Sequence, residues 1–229
     1  MQPRRLIVGI SGASGAIYGI RMLEVLAERP EIETHLVISQ AARLTIAHET
    51  EWTVAQVEAL ADRAYAPDDL AAPIASGSFG GAGGAGGGMV IAPCSIKTLS
   101  AIANCYAADL LSRAADVTLK EGRPLVLVTR ETPLHLGHLR LMVHAAEIGA
   151  VIFPPVPALY GRPQTVAELV DGTVGRVLAR VGVENELYTR WEGLGGGRQG
   201  DKERGRGGDR ETRRQGDEER GRQGGKKTR

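Results

Sequence analysis

Ser11, Gly12, Ala13, Ser14 and Gly15 form a turn of small residues after an apolar run, Leu6–Ile10. A helical pattern follows, with Ile17, Ile20, Leu23 and Leu26 expected on one face. A strand that passes through Gly and Ser into a helix is suited to an anion. The helix N-terminus offers unpaired N–H groups and partial positive charge, and small residues let a ligand approach the backbone. The glycine spacing narrows the ligand. Gly9, Gly12 and Gly15 read G-x-x-G-x-x-G, whereas a dinucleotide turn needs G-x-G-x-x-G and an acid at the end of the second strand. Here the second strand, Glu33–Ile38, ends in Ser39, and Glu31 and Glu33 lie at its start. There is no G-K-[ST], which excludes a nucleoside triphosphate loop. The hydroxyls of Ser11 and Ser14 suit the phosphate of a mononucleotide such as FMN.

In an open parallel sheet, ligands bind beyond the carboxyl ends of the strands. After Met89–Ala92 comes Pro93-Cys-Ser-Ile-Lys-Thr98, and after Leu125–Val128 comes Thr129-Arg130-Glu131. After Ala150–Phe153 comes a Pro-rich loop holding Tyr160 and Arg162. Five strand ends thus bring hydroxyls, Arg, Glu and Tyr to one edge. Arg clamps phosphate and a neighbouring Glu relays a proton. Ser95 opens a helix over Ile96–Ala103, where Ser is also an ordinary N-cap. Arg113 and Lys120, seven apart, share a face of a helix over Asp109–Lys120. Either they hold an anion, or they face water with Asp116 and Glu121 as partners. Glu49 closes a helix over Gln40–His48. Cys94 stands at a helix mouth, where a thiol pKa can fall, but packing is the expected role. His135 and His138 are the only His pair at helix-neighbour spacing, and no metal site is expected.

These residues sit on alternating elements. Further helices are expected over Val54–Ala61, His135–Ile148 and Thr165–Val181. Leu70–Ser78 is a connector, and Gly80–Gly88, nearly pure Gly and Ala, is an expanded surface loop. The order predicts α/β architecture with a mostly parallel sheet. Two Phe and two Trp in 229 residues make the core aliphatic and Ala-rich. From Gly193 onward, 12 basic residues face 7 acidic ones, and apolar residues almost vanish; the rest carries 16 basic and 20 acidic residues. One domain over 1–192 and a disordered Gly/Arg tail over 193–229 follow. The mildly acidic body gives no pull toward nucleic acid. Two cysteines are too few for a disulfide scaffold. No apolar run reaches the roughly 18 residues of a membrane span, and no leader is evident. A cytoplasmic protein is expected.

Gly-Ile-Ser-Gly-Ala-Ser-Gly-Ala-Ile-Tyr-Gly (9–19), Pro-Ile-Ala-Ser-Gly-Ser (73–78), Ala-Pro-Cys-Ser-Ile-Lys-Thr-Leu (92–99), Arg-Ala-Ala-Asp-Val-Thr-Leu-Lys-Glu (113–121), Arg-Glu-Thr-Pro-Leu (130–134) and Tyr160…Arg176…Arg190-Trp191 together resemble the UbiX flavin prenyltransferases. The resemblance covers about Leu6–Trp191. It implies a flavodoxin-like or Rossmann-like three-layer sandwich, reduced FMN as acceptor, dimethylallyl phosphate as donor, bonds to N5 and C6 of the flavin, and no metal. The product serves decarboxylases of the UbiD type. The resemblance further implies that Gly12, Ala13, Ser14, Ser39, Ser95, Ile96, Lys97, Thr98 and Arg130 hold FMN, with Arg113 near the flavin. Lys120, Arg130, Tyr160 and Arg176 would bind the substrate phosphate, and Trp191 would help wall the prenyl pocket. Glu49 and Glu131 would assist proton transfers, with Lys120 in the catalytic set. Homo-oligomers, dodecamers with sites at subunit contacts, are also implied.

Three other readings compete. A flavin-dependent decarboxylase of a cysteine-derived carboxylate shares the fold, but the set Lys120, Arg130, Glu131, Tyr160 and Arg176 suits phosphate. A non-catalytic FMN-binding module would not need those cations. RNA binding through the Arg-Gly tail would be salt-sensitive and lost on removing 193–229.

Overall fold

The structure, a computed structural model, describes residues 3–80, 86–191 and 193. Its contacts separate Met1–Thr189 from Arg190–Arg229, and the fold below is that of the first unit. Strands β1 (Arg4–Ile10), β2 (Ile32–Ile38), β3 (Arg63–Tyr65), β4 (Gly86–Cys94), β5 (Leu125–Thr129) and β6 (Val151–Ile152) form one sheet. Their order is β3-β2-β1-β4-β5-β6, and every pairing is parallel. Without the three-residue edge strand β3, this is the flavodoxin order; with it, the order is that of dinucleotide-binding sheets. In both, winding reverses between β1 and β4, and the crevice at that switch point is where such folds take ligands.

Helices α1 (Ala16–Ala27), α2 (Gln40–Glu49), α3 (Val54–Glu58) and α7 (Val166–Arg180) cover one face of the sheet. Helices α4 (Ile96–Ala103), α5 (Leu110–Lys120) and α6 (Leu136–Glu147) cover the other. Alternate strand residues feed the two cores. Val8, Ile10 and Val90 pack with Ile20, Leu23 and Leu178, whereas Ile7, Met89 and Ile91 pack with Leu99 and Leu111. The result is three layers, as the resemblance implies.

The structure departs from expectation at three places. Ile17 is 37% exposed, and α1 instead buries Ala16, Gly19, Ile20, Met22, Leu23 and Leu26. The third helix stops at Glu58, and Arg63–Tyr65 adds an edge strand to β2. That strand is held by long-range side-chain bonds: Arg63 Nε to Glu33 Oε1 (3.0 Å) and Tyr65 Oη with His35 Nδ1 (2.8 Å). In the glycine run, Gly80 ends a 3₁₀ turn and Gly86–Cys94 is strand β4, so the strand begins three residues before Met89. Gly88 has φ +94° and lies so close to the Pro124 carbonyl that a Cβ would overlap it. A strand that passes this point needs glycine there. Residues 81–85 of the expected loop, and the tail expected over 193–229 apart from Gly193, lie outside the described residues.

Candidate active site

The β1–α1 turn works first as a joint. Ser11 is buried; its hydroxyl donates to the Pro93 carbonyl (2.9 Å) and accepts the Ser95 N–H (2.7 Å). Its own N–H also reaches Pro93 O (3.1 Å). Ser11 therefore ties the ends of β1 and β4 together across the switch point and is not available to a phosphate, contrary to the expectation from its place in the turn. Gly12 lies against Ala41 of α2, where any Cβ would overlap the alanine side chain. Gly15 has φ +100° and makes no side-chain cap for α1.

The cap comes from Glu49 instead. Its Oε2 accepts the Gly15 N–H at 2.7 Å. Burial pulls the Glu49 pKa up, but bonds from the Gly15 N–H, the Ser14 hydroxyl and the Ala16 N–H, with the charge of Arg130, hold it below the ordinary carboxylate value. The positive end of α1 already faces an anion, supplied by the chain itself. The anion site expected at α1 is thus filled internally, and the Ser14 hydroxyl is part of that contact.

Beside this joint opens a cleft of about 850 Å³, within the range of roughly 300–1,000 Å³ common to small-molecule sites. Gly12, Ser39, Ser95, Ile96, Lys97, Thr98 and Glu131 all line it. The N-termini of α2 and α4 meet here. Ser39 Oγ accepts the Ala42 N–H (3.2 Å), and the Ser39 N–H is held by Ile10 O (2.9 Å). Ser95 Oγ accepts the Thr98 N–H (3.3 Å) and donates to Thr98 Oγ1 (3.1 Å). A serine cap satisfies one of the four N–H groups a helix start leaves unpaired, so each helix end keeps donor capacity toward the cleft. Ala13 sits on the same turn, its N–H bonded to Ser11 O (2.8 Å). Arg130 follows β5, with its N–H on Cys94 O (3.1 Å). Its charge reaches Tyr18, whose pKa burial raises and Arg130 partly lowers. Glu131 Oε1 accepts the Thr132 N–H (3.0 Å). Cys94 is fully buried, and burial pushes its thiol pKa up instead of letting it fall, so it is a packing residue.

Sequence reasoning missed Gln40, Asn104, Tyr106 and Ser112, which also line the cleft. One signal was available. Asp109-x-x-Ser112 is a capping box, with the Asp109 carboxylate accepting the Ser112 N–H (2.8 Å), and it seats the start of α5 at the cleft wall.

The remaining cations stand elsewhere in the subunit. Arg113 and Lys120 share a face of α5, as expected, but that face packs on the Pro73–Ser78 segment. Arg113 Nε donates to Ala75 O (3.2 Å) and its Nη1 pairs with Asp116 (2.9 Å). Lys120 pairs with Glu121, against Gly77. Lys120 is eight residues past Ser112, roughly 12 Å along the helix axis at 1.5 Å per residue. Tyr160 and Arg176 line a second cavity of about 170 Å³. The Arg176 guanidinium lies over the Phe153 ring at 5.5 Å. Two acids border this cavity, and both are partnered: Asp171 with Arg21 Nε (2.6 Å), Glu168 with the Gln164 N–H (2.7 Å). Trp191 belongs to the second unit and is 60% exposed.

A parallel sheet whose switch point opens on two serine-capped helix ends, beside a turn that lacks the dinucleotide spacing, defines a flavoprotein of the mononucleotide kind. Residues 1–178 match the family model described as Flavoprotein. The flavin prenyltransferase UbiX of Escherichia coli K12 is 59% identical over 192 residues, which cover 83% of this chain and 99% of that protein. Among solved structures, AnUbiX (PadA1) in complex with FMN and dimethylallyl pyrophosphate superposes with a TM-score of 0.79 at 47% identity, over 84% of this chain and 99% of that one. A dodecameric FMN-dependent UbiX-like decarboxylase from Escherichia coli O157:H7 does so with a TM-score of 0.79 at 48% identity, over 82% and 100%. The chain belongs to the UbiX flavin prenyltransferase family.

Proposed function

We propose that this protein joins the dimethylallyl group of dimethylallyl phosphate to N5 and C6 of reduced FMN, making the prenylated flavin that UbiD-type decarboxylases use. The observation that carries the reading is the 850 Å³ cleft at the β1/β4 switch point, lined by Gly12, Ser39, Ser95–Thr98 and Glu131. Its donor set fits a flavin mononucleotide: serine and threonine hydroxyls, two helix N-termini for a phosphate, and Arg130 nearby. The Thr129 hydroxyl, at the end of β5 beside Arg130, is buried without a hydrogen-bond partner among the described residues. Such a group favours a polar ligand at that edge.

Reduced FMN, when bound, supplies the nucleophilic N5 and C6. The chain supplies the setting. Gly12, Ala13, Ser14, Ser39, Ser95–Thr98 and Arg130 hold the flavin, with Arg113 near it. Lys120, Arg130, Tyr160 and Arg176 hold the departing phosphate, whose growing charge cations stabilise. Glu131 moves a proton at its carboxylate. Glu49, kept ionised by the start of α1, accepts a proton more readily than it gives one. Trp191 helps exclude water from the allylic carbon.

Arg113, Lys120, Tyr160 and Arg176 stand outside the cleft of their own subunit, so the reading places them at contacts between copies. The dodecameric relative supports this, as does the outer face of α6, where Leu136, Leu139 and Val143 are 59%, 45% and 57% exposed on one stripe. A phosphate-bearing donor and two free thiols, Cys94 and Cys105, suit the reducing cytoplasm. The decarboxylase and binding-module readings leave the phosphate-suited set of Lys120, Arg130, Tyr160 and Arg176 unexplained.

The test is mass spectrometry of the flavin after the anaerobically reduced, FMN-loaded protein meets dimethylallyl phosphate. A gain of one five-carbon unit is expected. Unmodified FMN, with flavin binding confirmed and with dimethylallyl pyrophosphate also inert, refutes the reading.

A further inference from the structure

Beyond α7 the chain turns back and lies along its own helix. Asn185 fixes that return. Its Nδ2 donates to Gly175 O of α7 (2.9 Å) and to Val183 O (3.1 Å), and its Oδ1 accepts the Leu187 N–H (3.2 Å). One side-chain amide thus uses both donors and its acceptor to hold the segment in a single shape. Gly175 makes room for it. A Cβ there would stand 2.6 Å from Asn185 Oδ1, 2.8 Å from Tyr188 Cδ1 and 2.9 Å from Leu187 Cβ, closer than side chains pack. At its far end, the segment meets the Tyr160–Gly161 turn, where a Cβ on Gly161 would lie 3.3 Å from Thr189 Oγ1. The approach is anchored too, since Arg4 Nη1 holds Gly182 O (2.8 Å) and Arg29 Nη2 holds Glu184 O (3.1 Å).

The segment therefore spans the two elements that carry Tyr160 and Arg176, and Leu187, Tyr188 and Thr189 form one wall of the cavity between them. We infer that Asn185 is a positioning residue for the prenyl donor: by pinning the 185–189 strap to Gly175, it sets the gap between Tyr160 and Arg176. This rests on the reading above that Tyr160 and Arg176 hold the donor phosphate. Its hydrogen bonds and close approaches among the described residues run to α7, Val183 and the Tyr160–Gly161 turn, away from the lining of the flavin cleft, so its effect falls on the donor and leaves FMN alone. Two groups that must bind one phosphate lose affinity when their spacing relaxes by a fraction of an ångström.

The test is calorimetric titration of dimethylallyl phosphate into protein loaded with oxidised FMN, which does not turn over. Asn185→Ala should weaken donor binding roughly tenfold, the equivalent of one or two net hydrogen bonds. FMN affinity should stay within about twofold, since independent sites do not couple. In turnover with reduced FMN, the donor KM should rise while kcat changes little. Gly175→Ala, which displaces the strap from the other side, should act in the same direction and serves if Asn185→Ala does not fold. Arg176→Ala is the control. If it weakens donor binding while Asn185→Ala and Gly175→Ala do not, the positioning role is wrong. Equal loss of FMN and donor affinity in the strap variants would mean a general folding role and would overturn it as well. If Arg176→Ala leaves donor binding unchanged, the failure lies in the phosphate reading itself.

Discussion

Glu49 at the start of α1 gives a prediction that can be worked from geometry. The Gly15 N–H to carboxylate bond is 2.7 Å long, and hydrogen bonds to charged groups contribute about 1.5–3 kcal/mol. A negative charge at a helix N-terminus adds about 0.3–1 kcal/mol. Glu49 is an exposed residue, so solvent screening removes much of both, and roughly 1–2 kcal/mol remains. For a domain of this size, that lowers the melting temperature of Glu49→Ala by about 3–6 °C, with Glu49→Gln between it and the parent. The pH dependence has a fixed sign. The folded pKa of Glu49 lies below its ordinary value of 4.5. A carboxylate with a depressed pKa stabilises the fold above its ordinary value and loses that effect as the pH falls through the folded one. The gap between the parent and the Gln variant should therefore be full at pH 7 and close below about pH 4.5. Added inorganic phosphate should also raise the melting temperature of Glu49→Ala more than that of the parent, because the vacated helix end accepts an outside anion. Thermal melts followed by circular dichroism, without flavin, read all three effects. A change under about 1 °C at pH 7, or a gap that ignores pH, would falsify the internal-anion account.

Four other outcomes follow from the same structure. Ser95→Ala removes the cap of α4, about 1 kcal/mol, and a hydroxyl from the cleft; flavin fluorescence titration should show FMN affinity down roughly tenfold. Lys120→Ala and Glu131→Gln should leave FMN affinity intact yet slow single-turnover prenylation by about 100-fold or more, and unchanged turnover in both removes them from the chemistry. His35 is 2% exposed, and burial lowers its pKa below 6.5 despite the opposing charge of Glu33. The unfolded chain then binds more protons below pH 6.5, so stability should fall as the pH drops past that value, and the slope should flatten in His35→Gln. Deleting 193–229 should leave turnover unchanged in a steady-state assay, and a large loss would show that the tail takes part.

The elements with strong patterns were legible. Leu6–Ile10, Met89–Ala92 and Leu125–Val128 are short apolar runs, and each lies inside a buried strand. Arg63–Tyr65 was not legible, because three residues carry no period and its support comes from Glu33 and His35, about thirty positions away. The strand-end rule located Gly12, Ser39, Ser95–Thr98 and Glu131, since a parallel sheet fixes which edge faces a ligand. It could not say which groups at that edge were already engaged. The Ser11 hydroxyl is bound to Pro93 and Ser95, and Glu49 is bound to Gly15 across 34 positions. Spacing put Arg113 and Lys120 on one face of α5 but not what that face meets, and Ala75 and Gly77 lie some forty residues upstream.

The three glycines of the first turn show how one spacing can serve several ends. At Gly9 a Cβ would overlap Leu111 of α5, at Gly12 it would overlap Ala41 of α2, and Gly15 needs its left-handed φ. Gly9 and Gly12 each let a neighbouring element sit close, and Gly15 supplies the turn into α1. The consequence is positional. The Gly12 contact brings the start of α2 to the end of β1, and the Ser11 bridge fixes the start of α4 beside it. With α1 closed by Glu49 and α5 capped by the Asp109 carboxylate, the helix ends at the cleft left to meet an anion are the two capped by Ser39 and Ser95. The turn that opens α1 thus has a second task beside any contact with the flavin: it seats the two helix ends that face the cleft.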